Sequence, residues 1–267
     1  MNPMFTKLLM SIAVIAMLLL VGCQSNPQYG SPNKEIRLET NKYVDSPANL
    51  YIKLARAYYD RGEYVVALGH AQKSVERDSG NPNAHNILAL IYQRLGQNSK
   101  ADSGFRKALS ISPHDPYINN AYGSFLCGQG ELDKSLIHFN KTNDHPLYKR
   151  KEIPLSNAGT CALRENNLEV AEEYLRKALQ NNGKFRYALY NMIQVSVLQK
   201  NYHSARAFLQ RYLEVGRHDS KTLWWGILTE QNLGDKDRLA SFKLLLKARF
   251  ADSDEAQLLN EMENNLR

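Results

Sequence analysis

The sequence is short of the residues from which metal sites and catalytic centres are usually built. Its three cysteines, Cys23, Cys127 and Cys161, are far apart, and none has a histidine at metal-ligand spacing. The seven histidines are scattered and form no His-Glu-x-x-His pair. Neither a glycine-rich phosphate-binding loop nor a Gly-x-Ser-x-Gly elbow is present. We therefore expect no metal site, no cofactor and no enzymatic activity.

A strong charge of one sign is also lacking. The chain has 34 Lys and Arg against 27 Asp and Glu, a formal net charge of +7. The basic residues are spread through stretches of mixed sign, and the densest cluster is Lys149-Arg150-Lys151. Proteins that bind nucleic acid usually carry a basic face, which this pattern does not indicate. We expect no nucleic-acid partner.

Long hydrophobic runs are confined to the N-terminus, where Leu8 to Val21 is apolar except for Ser11. A helix of this length rises by about 21 Å, whereas the hydrocarbon layer of a bilayer is about 30 Å thick. A positive Lys7 precedes the run. This arrangement is typical of a secretory signal peptide, which we assign to residues 1–22.

The signal peptide ends in Leu20-Val21-Gly22-Cys23, which resembles the lipobox of bacterial lipoproteins. In such proteins the cysteine thiol is lipidated and becomes the new N-terminus, and two or three acyl chains hold the protein on a membrane. The alternative is an ordinary signal peptide with an incidental cysteine. Asp after the lipidated cysteine commonly favours the inner membrane. Because Gln24 stands there instead, the resemblance implies the periplasmic face of the outer membrane.

Residues 23–46 are polar, contain three turn-forming clusters and have no sustained periodicity. A flexible chain of this length averages about 25 Å from end to end. We interpret this segment as a lipidated N-terminus followed by a flexible linker.

From Pro47 onward, a pattern recurs every 34 to 36 residues: a small residue, an apolar residue three later, Gly four after that, and Ala five after the Gly. It appears as Ala55-Tyr58-Gly62-Ala67, Ala89-Tyr92-Gly96-Ala101, Gly123-Leu126-Gly130-Ser135, Gly159-Ala162-Asn166-Ala171 and Ile193-Ser196-Lys200-Ala205. A weaker sixth copy has Gly234 and Ala240 after a one-residue slip. This is the period of the tetratricopeptide repeat.

The repeat predicts an all-α protein in which each unit is a pair of antiparallel helices, A and B. Stacked units bury the apolar faces that a single pair leaves exposed. We expect a right-handed superhelical solenoid of about six helical hairpins over residues 47–253 and a capping helix over 254–267. The predicted units are 48–81, 82–115, 116–149, 152–185, 186–219 and 220–253.

Positions 2, 5, 9 and 12 of each helix A are predicted to face a groove. Amide and aromatic side chains at such positions suit the binding of a peptide. The alternative for each of them is ordinary solvated surface. In the first three units they are Asn49, Ile52, Arg56, Tyr59, Asn83, Asn86, Leu90, Gln93, Tyr117, Asn120 and Ser124, and further along Tyr187, Tyr190, Gln194 and Trp224.

The lipobox, the linker, the repeats and the segments "NAYGSFLCGQGELDKSLIHF" and "NAGTCALRENNLEVAEEYLRKAL" together resemble the type IV pilus biogenesis and stability lipoproteins of the PilF/PilW type. The resemblance covers residues 15 to 267. It implies a monomeric, non-enzymatic protein, held on the membrane by its lipid, that escorts subunits of the outer-membrane secretin and promotes their assembly. A general periplasmic scaffold for envelope or peptidoglycan assembly is the other interpretation.

The resemblance also implies a disulfide between Cys127 and Cys161, because some members pair cysteines between these units. An oxidising compartment favours such pairing. The two residues fall at positions 12 and 10 of consecutive A helices, and this difference in register leaves two buried free thiols as the alternative.

Overall fold

The computed structural model describes residues 46–264, which contain 13 α-helices and no strand. The signal peptide, Cys23, residues 24–45 of the linker and residues 265–267 lie outside the described residues. The helices are α1 (Pro47–Asp60), α2 (Tyr64–Arg77), α3 (Pro82–Arg94), α4 (Asn98–Ile111), α5 (Pro116–Gly128), α6 (Leu132–Asp144), α7 (Glu152–Arg164), α8 (Leu168–Asn181), α9 (Arg186–Leu198), α10 (Tyr202–Leu213), α11 (Ser220–Leu233), α12 (Lys236–Arg249) and α13 (Asp254–Asn264).

The first three units begin in the same way, with a capping side chain followed by proline. Ser46, Asn81 and Asp115 each accept a hydrogen bond from a backbone N–H in the first turn of the helix that follows. Proline occupies the first helical position after each of them. Proline needs no hydrogen-bond partner there, and its fixed φ suits the start of a helix. In these three units the first helix can therefore begin directly after a short polar segment.

The turn between helices A and B depends on one residue in the left-handed region. Gly62, Gly96 and Gly130 have φ of 81°, 71° and 77°. In units four and five the same place is taken by Asn166 and Lys200, with φ of 55° and 58°. These are the five residues that the sequence aligns as the turn position. Glycine and asparagine tolerate this conformation, whereas lysine adopts it at a cost.

Within each unit, small residues let helices A and B approach closely. The aligned residues Ala55, Ala67, Ala89 and Ala101 are all fully buried. A Cβ added to Gly123 would lie 2.9 Å from the ring of Phe139, and one added to Gly159 would lie 2.6 Å from Leu175. The all-α repeat fold predicted from the sequence is confirmed.

Unit six departs from the other five. Its helix A, α11, extends one residue further than α9, whereas the left-handed Gly234 and the capping Asp235 follow Lys200 and Asn201 of unit five by 34 residues. The ring of Phe242 packs on Gly226, and Ala240 is exposed instead of filling the small-residue position that the slipped pattern gave it. The buried residues Leu223, Gly226 and Ile227 of α11 follow Leu189, Met192 and Ile193 of α9 by 34 residues, so unit six keeps the register of unit five and differs in the side chains that fill it. Ala256 and Leu259 of α13 join the core formed by Leu223 and Leu246.

Candidate interaction groove

The A helices of successive units lie side by side and are joined by polar side chains, one of each pair being a predicted groove residue. Asn81 donates a hydrogen bond to Oδ1 of Asn49 at 3.1 Å, and Arg94 donates to the hydroxyl of Tyr59 at 2.8 Å. Asn157 donates to Oδ1 of Asn120 at 3.1 Å. Part of the polar character of this surface, which we call the A-helix face, therefore serves to hold neighbouring units in register.

The predicted groove residues of units one to three differ widely in exposure. Arg56, Asn83, Tyr117 and Ser124 are exposed and available to a partner. Ile52 and Leu90 are half-buried because they pack against the core between units one and two.

The remaining groove residues of these units offer less surface. Asn86 is only 8% exposed. Asn49, Tyr59, Gln93 and Asn120 are intermediate in exposure. The exposed set in this part of the face is consequently smaller than the repeat positions alone suggest.

A cleft of about 490 Å³ lies further along the A-helix face, between α7 of unit four and α9 of unit five. Ile153, Ser156 and Thr160 line it from α7, and Tyr187 and Tyr190 line it from α9. These five residues occupy positions 2, 5 and 9 of unit four and positions 2 and 5 of unit five. The repeat positions predicted to face a groove therefore form walls of this cleft, although the sequence does not indicate its size.

Hydrogen bonds fix the polar part of the cleft. Asn191 donates to the hydroxyl of Thr160 at 2.7 Å, and this hydroxyl donates to the backbone carbonyl of Ser156, also at 2.7 Å. Because the amide nitrogens of Asn157 and Asn191 are committed to the neighbouring helix, their oxygens are the atoms that a bound N–H group could use.

The two tyrosines of the cleft have different environments. Tyr190 is packed edge-on against Trp225 with ring centroids 4.9 Å apart. Burial raises the pKa of Tyr190, and the neighbouring Asp219 carboxylate raises it further, so this hydroxyl stays protonated. Tyr187 is 60% exposed, and the guanidinium carbon of Arg186 lies 5.2 Å from the centroid of its ring. Tyr190 is thus a rigid wall, whereas Tyr187 is an accessible flat surface.

The longest connection between units leads directly into this cleft. Residues 145–151 join α6 to α7, whereas residues 112–115 suffice between units two and three. The connection places Tyr148 against Tyr117 with ring centroids 5.5 Å apart and leaves Leu147 81% exposed. Arg150, near its end, lines the cleft. The repeat pattern does not indicate Arg150 or Phe185, because both lie in connections between units and not at positions 2, 5, 9 or 12 of a helix A.

The structure joins Cys127 of α5 to Cys161 of α7 in a disulfide, with Cα atoms 5.6 Å apart. Both residues are buried, next to Phe139 and Ala158. The bond ties unit three to unit four beside the cleft.

Two further features concern membranes and metals. Among residues 46–264, every helix is too short or too polar to cross a bilayer. The same residues contain no cluster of three or more side chains suited to hold a metal ion. The lipidation site proposed at Cys23 lies outside the described residues.

Comparison with known proteins gives consistent matches. The tetratricopeptide repeat family matches residues 52–116 and 157–220. The type IV pilus assembly protein PilF of Pseudomonas aeruginosa is 27% identical over 245 residues, which cover 92% of this chain and 96% of that protein. The crystal structure of PilW, described as a widely conserved type IV pilus biogenesis factor, superposes with a TM-score of 0.73 at 29% identity, over 79% of this chain and 97% of PilW. The structure of P. aeruginosa PilF gives a TM-score of 0.72 at 26% identity, over 81% and 97% of the two chains.

Proposed function

Because the chain is a tetratricopeptide-repeat homologue of the type IV pilus proteins PilF and PilW, and so a protein of type IV pilus biogenesis, we propose that it is a secretin pilot. In this role it is a lipoprotein on the periplasmic face of the outer membrane. It binds subunits of the secretin and promotes their assembly into the ring through which the pilus passes.

One observation carries the proposal: the similarity to PilF runs through nearly the whole of both chains. Tetratricopeptide repeats occur in proteins of many functions, so a match limited to a few units would support only the fold. Here the number and order of the units correspond as well, since the PilW and PilF structures are covered almost completely. We therefore expect this protein to use its repeat array in the same process as PilF and PilW.

The proposed mechanism combines a groove with a tether. Arg56, Asn83 and Tyr117 present charged, amide and aromatic groups along the A-helix face of units one to three. A stacked array can hold an extended client segment across several units at once. A lipid on Cys23 would confine escort and client to one surface and raise their effective concentration.

The anchor is tested by Cys23→Ala and fractionation of the cells. The variant is expected to leave the outer-membrane fraction, because without acyl chains nothing in the proposed mechanism holds the chain there. Gln24→Ala, at the neighbouring position, is the matched control for synthesis and export. A Cys23→Ala protein that stayed in the outer membrane at the wild-type level would show that the anchor is elsewhere.

The groove is tested by a triple variant, Arg56→Asp, Asn83→Asp and Tyr117→Asp. All three side chains are exposed, so the fold should be kept while the secretin multimers decrease severalfold. Lys221→Asp, Gln231→Asp and Asn232→Asp change equally exposed positions of α11 in unit six and serve as the control. Equal loss of multimers in both triple variants would contradict a client site in units one to three.

A further inference from the structure

The cleft between α7 and α9 has the properties of a second peptide site. Its wall is formed largely by apolar and aromatic groups, among them Ile153, Phe185 and Tyr187. Beyond Tyr187 and Tyr190, a second cleft of about 320 Å³ continues along the same face and ends at Asp219. Two consecutive clefts that share one aromatic wall suit an extended chain, whose side chains follow each other at about 3.3 Å per residue.

The charge around the cleft selects the kind of peptide. The two segments that flank it, residues 149–153 and 184–187, hold five cationic residues and one carboxylate. That carboxylate belongs to Glu152, whose side chain is 11% exposed and lies 3.4 Å from Nε of Arg150. The side chain of Arg150 is 68% exposed, and its guanidinium keeps donors free for another carboxylate.

The second cation of the rim is fixed by an aromatic ring. Arg186 lies over Tyr187, with the guanidinium carbon 5.2 Å from the ring centroid. Stacking of this kind restricts the side chain without using its hydrogen-bond donors. Arg150 therefore borders the apolar wall from the connection before α7, and Arg186 borders its continuation in the second cleft from α9.

We infer that the cleft binds an extended segment of a partner protein in which a large apolar or aromatic side chain is flanked by carboxylates. The apolar side chain packs between Ile153 and Tyr187. The carboxylates pair with Arg150 and Arg186, and Asn191 offers its amide oxygen to the backbone of the segment. The inference goes beyond the proposed function, because it concerns units four and five and does not depend on the secretin.

The test uses the full chain in detergent and three fluorescein-labelled nonapeptides. The first has a central Phe flanked by Glu, the second has Lys in place of Glu, and the third has Ser in place of Phe. Fluorescence anisotropy is expected to show binding of the first peptide and at least tenfold weaker binding of the other two. Equal binding of the Lys peptide, or no binding of the Glu peptide at millimolar concentration, would overturn the inference.

Two variants locate the binding. Tyr187→Ala should weaken binding of the Glu peptide about tenfold, whereas Tyr117→Ala should leave it unchanged. The two tyrosines occupy the same repeat position and are 60% and 69% exposed, so neither change removes a core residue. An unchanged affinity of the Tyr187→Ala protein would overturn the inference.

Charge reversal and self-association complete the test. The double variant Arg150→Glu and Arg186→Glu should prefer the Lys peptide over the Glu peptide, and an unaltered preference would contradict the assigned roles. If the chain instead formed dimers that Tyr187→Ala abolished, a second copy would occupy the cleft and the inference would be wrong. Secretin multimers in the Tyr187→Ala strain report on the proposed function independently.

Discussion

Cys127 and Cys161 face each other across the contact between units three and four, with Cα atoms 5.6 Å apart, although they occupy different positions in their helices. Side chains at equal positions of two parallel neighbouring helices point in the same direction and therefore do not meet. A difference of two residues rotates a side chain by about 200°, which turns it back towards the neighbouring helix. The difference in register that left the pairing open in the sequence is thus the geometry that a disulfide between stacked A helices requires.

Removal of this disulfide is expected to destabilise the protein. The bond closes a loop across a sequence separation of 34 residues. In the chain-entropy account, such a crosslink stabilises the folded state by about 3 to 4 kcal/mol. The double variant Cys127→Ser and Cys161→Ser should therefore unfold at a lower urea concentration, with a free energy of unfolding reduced by that amount. The single variant Cys127→Ser should lose nearly as much, and a double variant as stable as the wild type would contradict the account.

Replacement of Lys200 by glycine should stabilise the fold. Lys200 has φ of 58° and occupies the turn position at which four other units have glycine. Relief of this conformation is worth about 0.5 to 1 kcal/mol, after allowance for the greater freedom of glycine in the unfolded chain. Asn166→Gly is the control, because asparagine already tolerates the left-handed region. Urea unfolding in which Lys200→Gly gains no more than Asn166→Gly would show that the turn is not strained.

Acid should weaken the packing of α6 on α5 through His138. The amide nitrogen of Asn119 donates to two backbone carbonyls, so its Oδ1, 2.8 Å from Nδ1 of His138, accepts a hydrogen bond from the imidazole. Burial, and secondarily Lys141, lowers the pKa of His138 to about 4. The unfolded chain, with an ordinary histidine pKa of about 6.5, takes up a proton first. Stability is therefore lost as the pH falls from about 6.5 towards 4.

The His138→Gln variant tests this linkage. Glutamine can still donate to Asn119 but takes up no proton in this pH range. Between pH 7 and pH 4.5, the variant should lose roughly 1 kcal/mol less stability than the wild type, a figure reduced for the solvent-exposed part of the ring. His114→Gln, at an exposed position, is the matched control. Parallel pH profiles of wild type and His138→Gln would contradict the assignment.

Sequence alone could predict the features that depend on a repeated local requirement. The turn position was identified even where Asn166 and Lys200 replace glycine, because the surrounding pattern fixes the register. The positions that face the groove were also given by the repeat. Their exposure was not, because the approach of the next unit decides it: Leu90 packs against the core between units and is half-buried, whereas Tyr117 stays open.

The cleft could not be predicted, for a physical reason. It depends on a connection that departs from the repeat. Residues 145–151 are three residues longer than the connection 112–115 between units two and three, and they carry Arg150 to the rim of the cleft. A periodic pattern contains no information on what an insertion or a deletion does to the next unit.

The central claim, that this protein is a secretin pilot, is tested most directly by secretin assembly in cells that lack the whole gene. Outer-membrane fractions, analysed without heating so that multimers stay intact, should contain far fewer secretin rings and more monomer than the wild type, and a plasmid copy of the gene should restore them. Secretin rings that form at the wild-type level in the deletion strain would contradict the claim and favour a general scaffold for envelope assembly.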